Sequence, residues 1–196
     1  LPLWSTVGLQ EGAGFAEALS LDGRRLALPS RSLVQARQIY VYCQAARLGW
    51  TGPWRRAVWA GLDALSKRFT REDGAMRALA APDGTPLDET TRLYDQSFLM
   101  LALAAAREAG YEGEELERQA TAVRDGILAG ALPNGGFKEA GAQPYQANAQ
   151  MHLLEAAMAW EALSEDPEWG ALVDRIVALA LTRFIDPTSG MLREFY

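Results

Sequence analysis

Apolar residues recur every three to four positions in six stretches of the chain, a spacing that is typical of α-helices. Two stretches, residues 53–70 and 113–130, are apolar on one face only, so their helices should be half exposed. Residues 31–48, 91–109 and 146–163 are apolar on nearly every side, so their helices should be buried. The complete set of predicted helices covers residues 31–48, 53–70, 91–109, 113–130, 146–163 and 167–185.

A glycine followed by an apolar residue recurs along the chain and gives it an internal period. Gly14, Gly74, Gly136 and Gly190 begin these phrases and stand 60, 62 and 54 residues apart. Each interval holds two predicted helices, so the repeating unit is a helical hairpin. Alternating buried and half-exposed helices predict an inner and an outer layer. Because three hairpins do not close a double ring, we expect one domain, residues 1–196, that forms about the first half of a toroid and is truncated at its C-terminal side.

Composition and charge narrow the class of protein. Hydrophobic residues make up 49% of the chain and charged residues 22%, as in an ordinary globular domain. The net charge of -6 argues against a nucleic-acid partner. The sequence contains no run of eighteen apolar residues, so we expect no membrane span. A single cysteine, Cys43, excludes an internal disulfide and favours a reducing compartment, which predicts a cytoplasmic protein.

The predicted helix at residues 146–163 carries one polar stripe on an otherwise apolar surface. Asn148, His152 and Glu155 fall within about 60° of one another around the helix. Small residues flank the stripe and leave open space in front of it. Buried polar groups are costly unless they bind a ligand or each other, so the stripe is a candidate site. Glu155 could hold a ring nitrogen of His152 and fix its tautomer, although a satisfied core histidine would need the same contact.

Two further polar residues lie on the other apolar helices. An unpaired Arg37 within a buried helix would need an anion, a hydroxyl cluster or a carboxylate partner. Tyr94 taken alone would be a core tyrosine. Arg37, Tyr94 and Asn148 are separated by 57 and 54 residues, close to the repeat. We therefore expect them at similar heights on three successive inner helices, facing one axial cavity.

Metal and nucleophilic chemistry are poorly supported by the residues. With one histidine and one cysteine, the sequence contains no metal-ligand cluster, and we predict neither a metal nor a cofactor. Cys43 lies in an apolar helix with no base nearby in sequence, so it is a weak candidate nucleophile.

Four phrases together resemble the N-acylglucosamine 2-epimerase family, which includes mannose isomerases and cellobiose 2-epimerases. They read GFAE with DG at residues 14–23, ARQIY at 36–40, LYDQSF at 93–98 and NAQMHLLEA at 148–156. The last phrase is the most specific, and the likeness runs along the whole chain.

The resemblance implies an all-α fold, an (α/α)6 barrel of which this chain holds about the first half, with about six helices. It also implies proton transfer at sugar C2 through an enediolate-like intermediate. Arg37 would bind sugar oxygens and stabilise negative charge. Tyr94, Asn148 and His152 would bind the sugar, with Glu155 supporting His152. The implied partner is a small sugar or sugar phosphate.

The chain departs from the family in one respect. The family's proton-transferring histidines lie on inner helices of the second half, so here they are expected beyond Tyr196. We therefore expect no catalytic residue within the chain, and expect the chain alone to be inactive. The open edge of a half toroid would also favour a homodimer.

Two alternatives remain open from the residues. A glycoside hydrolase or lyase on the same toroid would need two carboxylates across a cleft. The candidate carboxylates are Glu17, Glu139, Glu155 and Glu194, although the repeated ones fit a role in hairpin structure better. A non-catalytic helical scaffold could instead bind a partner protein through its unfinished edge.

Overall fold

The computed structural model describes residues 1–133 and 135–195, so Asn134 and Tyr196 lie outside the described part. The described residues contain the six predicted helices, all near the expected bounds. They are α1 (Ser32–Arg47), α2 (Trp54–Ala64), α3 (Leu93–Glu108), α4 (Gly113–Ala129), α5 (Ala147–Glu161) and α6 (Glu168–Leu179). Two of them continue into one π-helical turn each, Leu65–Phe69 after α2 and Ala180–Phe184 after α6.

The helices form three hairpins in two layers, which confirms the predicted architecture. Helix α3 packs against both α1 and α5, and these three form the inner layer. Each outer helix packs on the inner helix of its own hairpin. In the third hairpin, Trp160 stacks on Trp169 with ring centroids 5.6 Å apart, and both side chains are fully buried. No helix in the described residues is both long enough and apolar enough to cross a bilayer.

Five short strands occupy the connections that lead into α1 and α3, and the sequence analysis did not anticipate them. The strands are β1 (Leu9–Gln10), β2 (Gly14–Phe15), β3 (Ser30–Arg31), β4 (Leu79–Ala80) and β5 (Pro86–Asp88). Strands β1 and β2 form one antiparallel pair, and β3, β4 and β5 form an antiparallel sheet in that order. Strand β3 runs directly into α1.

A buried glutamine on each inner helix binds the backbone of an apolar residue in the loop that carries a glycine phrase. Gln35 of α1 accepts a hydrogen bond from the Phe15 amide (2.7 Å) and donates one to the Phe15 carbonyl (2.8 Å). Gln96 of α3 does the same to Met76, at 2.9 and 2.8 Å. A side-chain amide thus satisfies both backbone groups of a buried loop residue. A Cβ at Gly14, where φ is +73°, would overlap the Gln35 side chain, so this position requires glycine.

The third inner helix repeats the contact in part. Gln150 of α5 donates a hydrogen bond to the Phe137 carbonyl (2.6 Å). The three glutamines therefore mark structurally equivalent positions on α1, α3 and α5. They fix the register of the inner helices more directly than the spacing of the glycines does.

Candidate functional site

One turn of each inner helix lines a common hollow of about 330 Å³ at the end where the short strands lie. Leu33, Tyr94 and Asn148 line it from α1, α3 and α5. Each stands two positions before the glutamine of its helix, so the three are equivalent in the repeat. The predicted proximity of Tyr94 and Asn148 is therefore present in the structure.

A second row of side chains lies one helical turn further along, two positions after each glutamine. It consists of Arg37, Phe98 and His152. The Arg37 guanidinium carbon lies 5.0 Å from the centre of the Phe98 ring. The centroids of the Phe98 and His152 rings are 4.7 Å apart. The Tyr94 and His152 rings are perpendicular, with their centroids 4.9 Å apart. The two rows are thus in direct contact.

The expectation for Arg37 was wrong in two respects. First, the residue is exposed on the inner face of α1 rather than buried. Second, its place in the repeat matches Phe98 and His152, whereas Leu33 is the residue of α1 that matches Tyr94. No carboxylate of the described residues lies within 4.0 Å of Arg37, so an anion and hydroxyl groups are the partners left open. Residue spacing misled because the hairpins differ in loop length: the glutamines of α1 and α3 are 61 residues apart, but those of α3 and α5 only 54.

His152 packs against both aromatic rings, Tyr94 and Phe98, and is held by Glu155. The distance from His152 Nδ1 to Glu155 Oε2 is 2.6 Å, so the contact expected from the sequence is present. The imidazole is largely covered, with 18% of the side chain exposed, while Glu155 faces solvent. When a protonated Nδ1 donates a hydrogen bond to Glu155, the neutral ring keeps Nε2 as an acceptor for a ligand hydroxyl.

Asp95 is a site residue that the sequence analysis missed. It lines the same hollow, is 5% exposed, and forms no side-chain hydrogen bond with any described residue. Burial raises the pKa of its carboxyl group to about 6; the charge of Glu139 adds to the rise, and Arg92 and Arg31 oppose it. A buried carboxylate without a partner is costly and is free to accept a hydrogen bond from a ligand. The signal in the sequence was an acidic residue in the first turn of an otherwise apolar helix.

Glu139 also lines the hollow, but its oxygens are occupied by the backbone. It accepts hydrogen bonds from the amides of Leu93 (3.2 Å) and Tyr94 (2.8 Å), the first two residues of α3. These amides have no partner within the helix, so Glu139 caps α3 from a different hairpin. It thereby holds the backbone of Tyr94 in place.

A second of the repeated carboxylates, Glu17, is also occupied at the start of a helix. Glu17 accepts hydrogen bonds from Arg31 at its Nε (2.6 Å) and backbone amide (3.1 Å), immediately before α1. Glu17 and Glu139 thus stabilise helix starts, as the sequence favoured. This removes two of the four carboxylates on which the hydrolase alternative depended.

Two arginines form the rim of the hollow, and both are neutralised. Arg31 pairs with Glu17 at 2.6 Å, and Arg92 pairs with Asp88 at 2.9 Å. The hollow therefore presents hydroxyl, amide and carboxyl groups, which are hydrogen-bonding partners suited to a neutral polyol.

The described residues contain no group of three or more histidine, cysteine or acidic side chains arranged to hold a metal ion. Cys43 is fully buried, and burial raises the pKa of its thiol to about 12. A thiol in that state is a poor nucleophile at neutral pH.

Comparison with known proteins assigns this arrangement to a family. The model of the N-acylglucosamine 2-epimerase family matches residues 14–196. A mannose-6-phosphate isomerase of Rhizobium meliloti (strain 1021) is 38% identical over 203 residues, a match that covers all of this chain and 52% of the relative. The chain thus spans about half the length of that protein.

Solved structures show the same fold. Cellobiose 2-epimerase from Bacillus thermoamylovorans B4167 superposes with a TM-score of 0.88 at 17% identity, and the chain covers 56% of it. A D-mannose isomerase gives 0.86 at 21% identity, with 52% covered. The three hairpins therefore correspond to about half of an (α/α)6 barrel. Since the family model covers nearly the whole sequence, the chain belongs to the N-acylglucosamine 2-epimerase family.

Proposed function

We propose that this chain forms the sugar-binding half of an enzyme that epimerises or isomerises a sugar by moving a proton at C2. The observation that carries the proposal is the hollow shared by Tyr94, Asn148 and Asp95, in a chain of this family. A phenol, an amide and an unpartnered carboxyl group can bind adjacent sugar hydroxyls in different directions.

Arg37 and His152 would act on the reacting end of the sugar. The Arg37 guanidinium faces open space and is unpaired among the described residues, so it can stabilise the negative charge of an enediolate-like intermediate. His152 would present Nε2 to a sugar oxygen while Glu155 holds Nδ1. Phe98 lies between them and offers an apolar surface to the C–H face of a sugar ring.

Removal of a C2 proton requires a positioned base, which we place outside this chain. His152 is the only imidazole, and one of its nitrogens is bound by Glu155. Asp95 is assigned to binding sugar hydroxyls, and the resemblance to the family implies that the histidines which transfer the C2 proton lie on inner helices of the second half. We therefore propose that the acid and base lie on further inner helices and that the chain alone does not catalyse the reaction.

The exposed edge of the third hairpin supports the proposal that further inner helices complete the barrel. Met76 and Leu192 are equivalent, because each pairs in an isolated antiparallel bridge with the residue that follows a π-helical turn. Met76 is 1% exposed and held by Gln96, whereas Leu192 is 68% exposed. A further inner helix would cover Leu192 as α3 covers Met76. In its absence, the same edge would favour a homodimer of the chain.

The substrate would be a free or phosphorylated hexose or a related sugar, and a cytoplasmic location fits the single reduced cysteine. The test is product analysis with D-mannose and D-mannose 6-phosphate, using the complete reading frame that contains these residues. We expect a C2 epimer or the matching ketose from the complete protein, and none from the 196-residue chain. Release of the aryl alcohol from an aryl mannoside would instead support the glycoside hydrolase alternative.

A further inference from the structure

A second hollow, which we call the N-terminal hollow, borders strand β3 and is separate from the candidate sugar site. Its volume is about 170 Å³. Ser30 of β3 contributes to its wall, while the next residue, Arg31, lines the candidate sugar site. Two arginines, Arg25 and Arg68, also line the N-terminal hollow.

Arg68 is a buried cation that the protein holds but does not neutralise. It is 8% exposed and lies within the π-helical turn after α2. Its terminal nitrogens donate hydrogen bonds to the carbonyls of Ala13 (3.3 Å), Ala81 (2.7 Å) and Pro82 (3.2 Å). Its Nε has no partner among the described residues. Carbonyl dipoles orient the guanidinium, but a buried charge without a counter-ion remains costly.

Arg25 adds a second positive charge at the same place. Its Nη1 donates a hydrogen bond to the Gly14 carbonyl at 3.3 Å. Burial lowers the pKa of Arg25, and the positive charge of Arg68 lowers it further, which shows that the two guanidinium groups are close. Two like charges in a partly buried site repel each other more strongly than they would in water.

The neighbouring carboxylates do not neutralise the positive charges of Arg25 and Arg68. No carboxylate of the described residues lies within 4.0 Å of Arg25 or Arg68. Glu17 lines the N-terminal hollow, but it is committed to Arg31 at 2.6 Å. Hydrogen bonds from Thr85 lower the pKa of Asp83, and the charge of Arg68 lowers it further, but Asp83 is exposed and its carboxylate is bound by the Thr85 amide.

We propose that the N-terminal hollow binds a phosphate-type oxyanion between Arg25 and Arg68. The planar guanidinium presents paired N–H donors that match the oxygens of phosphate, and an anion would neutralise both charges together. The hollow is several times the roughly 30 Å³ that a water molecule occupies in the liquid, so a tetrahedral anion can enter it. The ligand is either free phosphate or the phosphate group of a monoester. The proposal does not depend on the C2 chemistry.

The test is calorimetric titration of the full 196-residue chain with inorganic phosphate, against sodium chloride of equal ionic strength. We expect saturable binding with a Kd of about 1 mM or tighter, and at least a roughly tenfold loss in Arg25→Gln. The matched control is Arg24→Gln, which removes the adjacent positive charge. Arg24 is 81% exposed and pairs with Asp22, so this variant should bind phosphate like the unaltered chain.

Arg25 is the chosen position because Arg68 donates hydrogen bonds to three loop carbonyls, and its replacement would disrupt those loops. Far-UV circular dichroism checks that both variants keep their helices. Absence of saturable binding, or equal binding by Arg25→Gln and Arg24→Gln, would overturn the proposal. Competition by D-mannose 6-phosphate would show that the hollow takes a monoester. Failure to compete, with phosphate still bound, would identify the free anion as the ligand.

Discussion

Replacement of Asp95 by asparagine should stabilise the chain at neutral pH. Burial holds the pKa of this carboxyl group at about 6, against 3.8 for an ordinary aspartate. A difference of that size corresponds to about 3 kcal/mol of penalty on the ionised folded state. An unpaired asparagine amide carries a desolvation cost of its own, so the expected net gain in the free energy of unfolding is about 1–3 kcal/mol.

The gain should depend on pH in a direction that the raised pKa of Asp95 fixes. Well below pH 3.8 the carboxyl is protonated in both states, and Asp95→Asn should differ little from the unaltered chain. Between 3.8 and about 6 the unfolded chain ionises while the folded chain keeps its proton, so the stability of the unaltered chain falls as pH rises. Above about 6 the penalty is complete, and the advantage of the variant should reach a plateau.

Urea unfolding of both chains across this pH range measures the effect. The matched control is Asp83→Asn, because hydrogen bonds from Thr85 lower the pKa of that exposed carboxylate. The control should lose stability at neutral pH, and the loss should vanish in acid, which is the opposite sign. If Asp95→Asn were destabilising by the same amount at every pH, Asp95 would be an ordinary structural partner and its assignment to the hollow would fail.

Three further predictions concern the packing of the inner helices. Gln35→Leu should lower the free energy of unfolding by about 2–4 kcal/mol in urea denaturation, because two buried backbone groups of Phe15 lose their partner; an unchanged midpoint would refute the register argument. Gly14→Ala should lower the melting temperature far more than Gly23→Ala. Both glycines have positive φ, but only a Cβ at Gly14 meets other atoms, so equal losses would contradict this reasoning. Cys43 should react with a thiol reagent only after unfolding, and rapid labelling of the folded chain would contradict its burial.

The helices could be predicted from the sequence because local patterns determine them. Pro53 and Pro167 immediately precede α2 and α6, where a missing N–H costs nothing. The glycine period correctly indicated hairpins in two layers. The π-helical turns could not be distinguished from the helices they extend, since their apolar spacing is continuous with that of the helix.

The site was predicted only in part, because its register depends on tertiary contacts. Tyr94 and Asn148 share a hollow as expected, but Arg37 does not belong to their row. Its true neighbours follow from the glutamine contacts, which join residues 13 to 20 positions apart. The helix cap provided by Glu139 joins residues 46 apart and has no local signature.

The sequence also could not predict that the Asp95 carboxyl group forms no side-chain hydrogen bond with the described residues. An acidic residue in the first turn of a helix ordinarily helps to cap it, and only the folded arrangement shows that no described residue hydrogen-bonds the Asp95 oxygens. Sequence patterns therefore predicted the face of the inner helices that carries the candidate site, while the three-dimensional contacts show which of its side chains have no partner among the described residues.

The most direct test of the proposed chemistry is solvent exchange at C2. Proton NMR in heavy water follows D-mannose or D-mannose 6-phosphate with the complete reading frame that contains these residues. We predict that deuterium appears at C2, that Asn148→Ala slows its appearance, and that the 196-residue chain alone produces none. Product formed by the complete protein without deuterium at C2, or exchange catalysed by the isolated chain, would contradict the division of roles proposed for this half of the barrel.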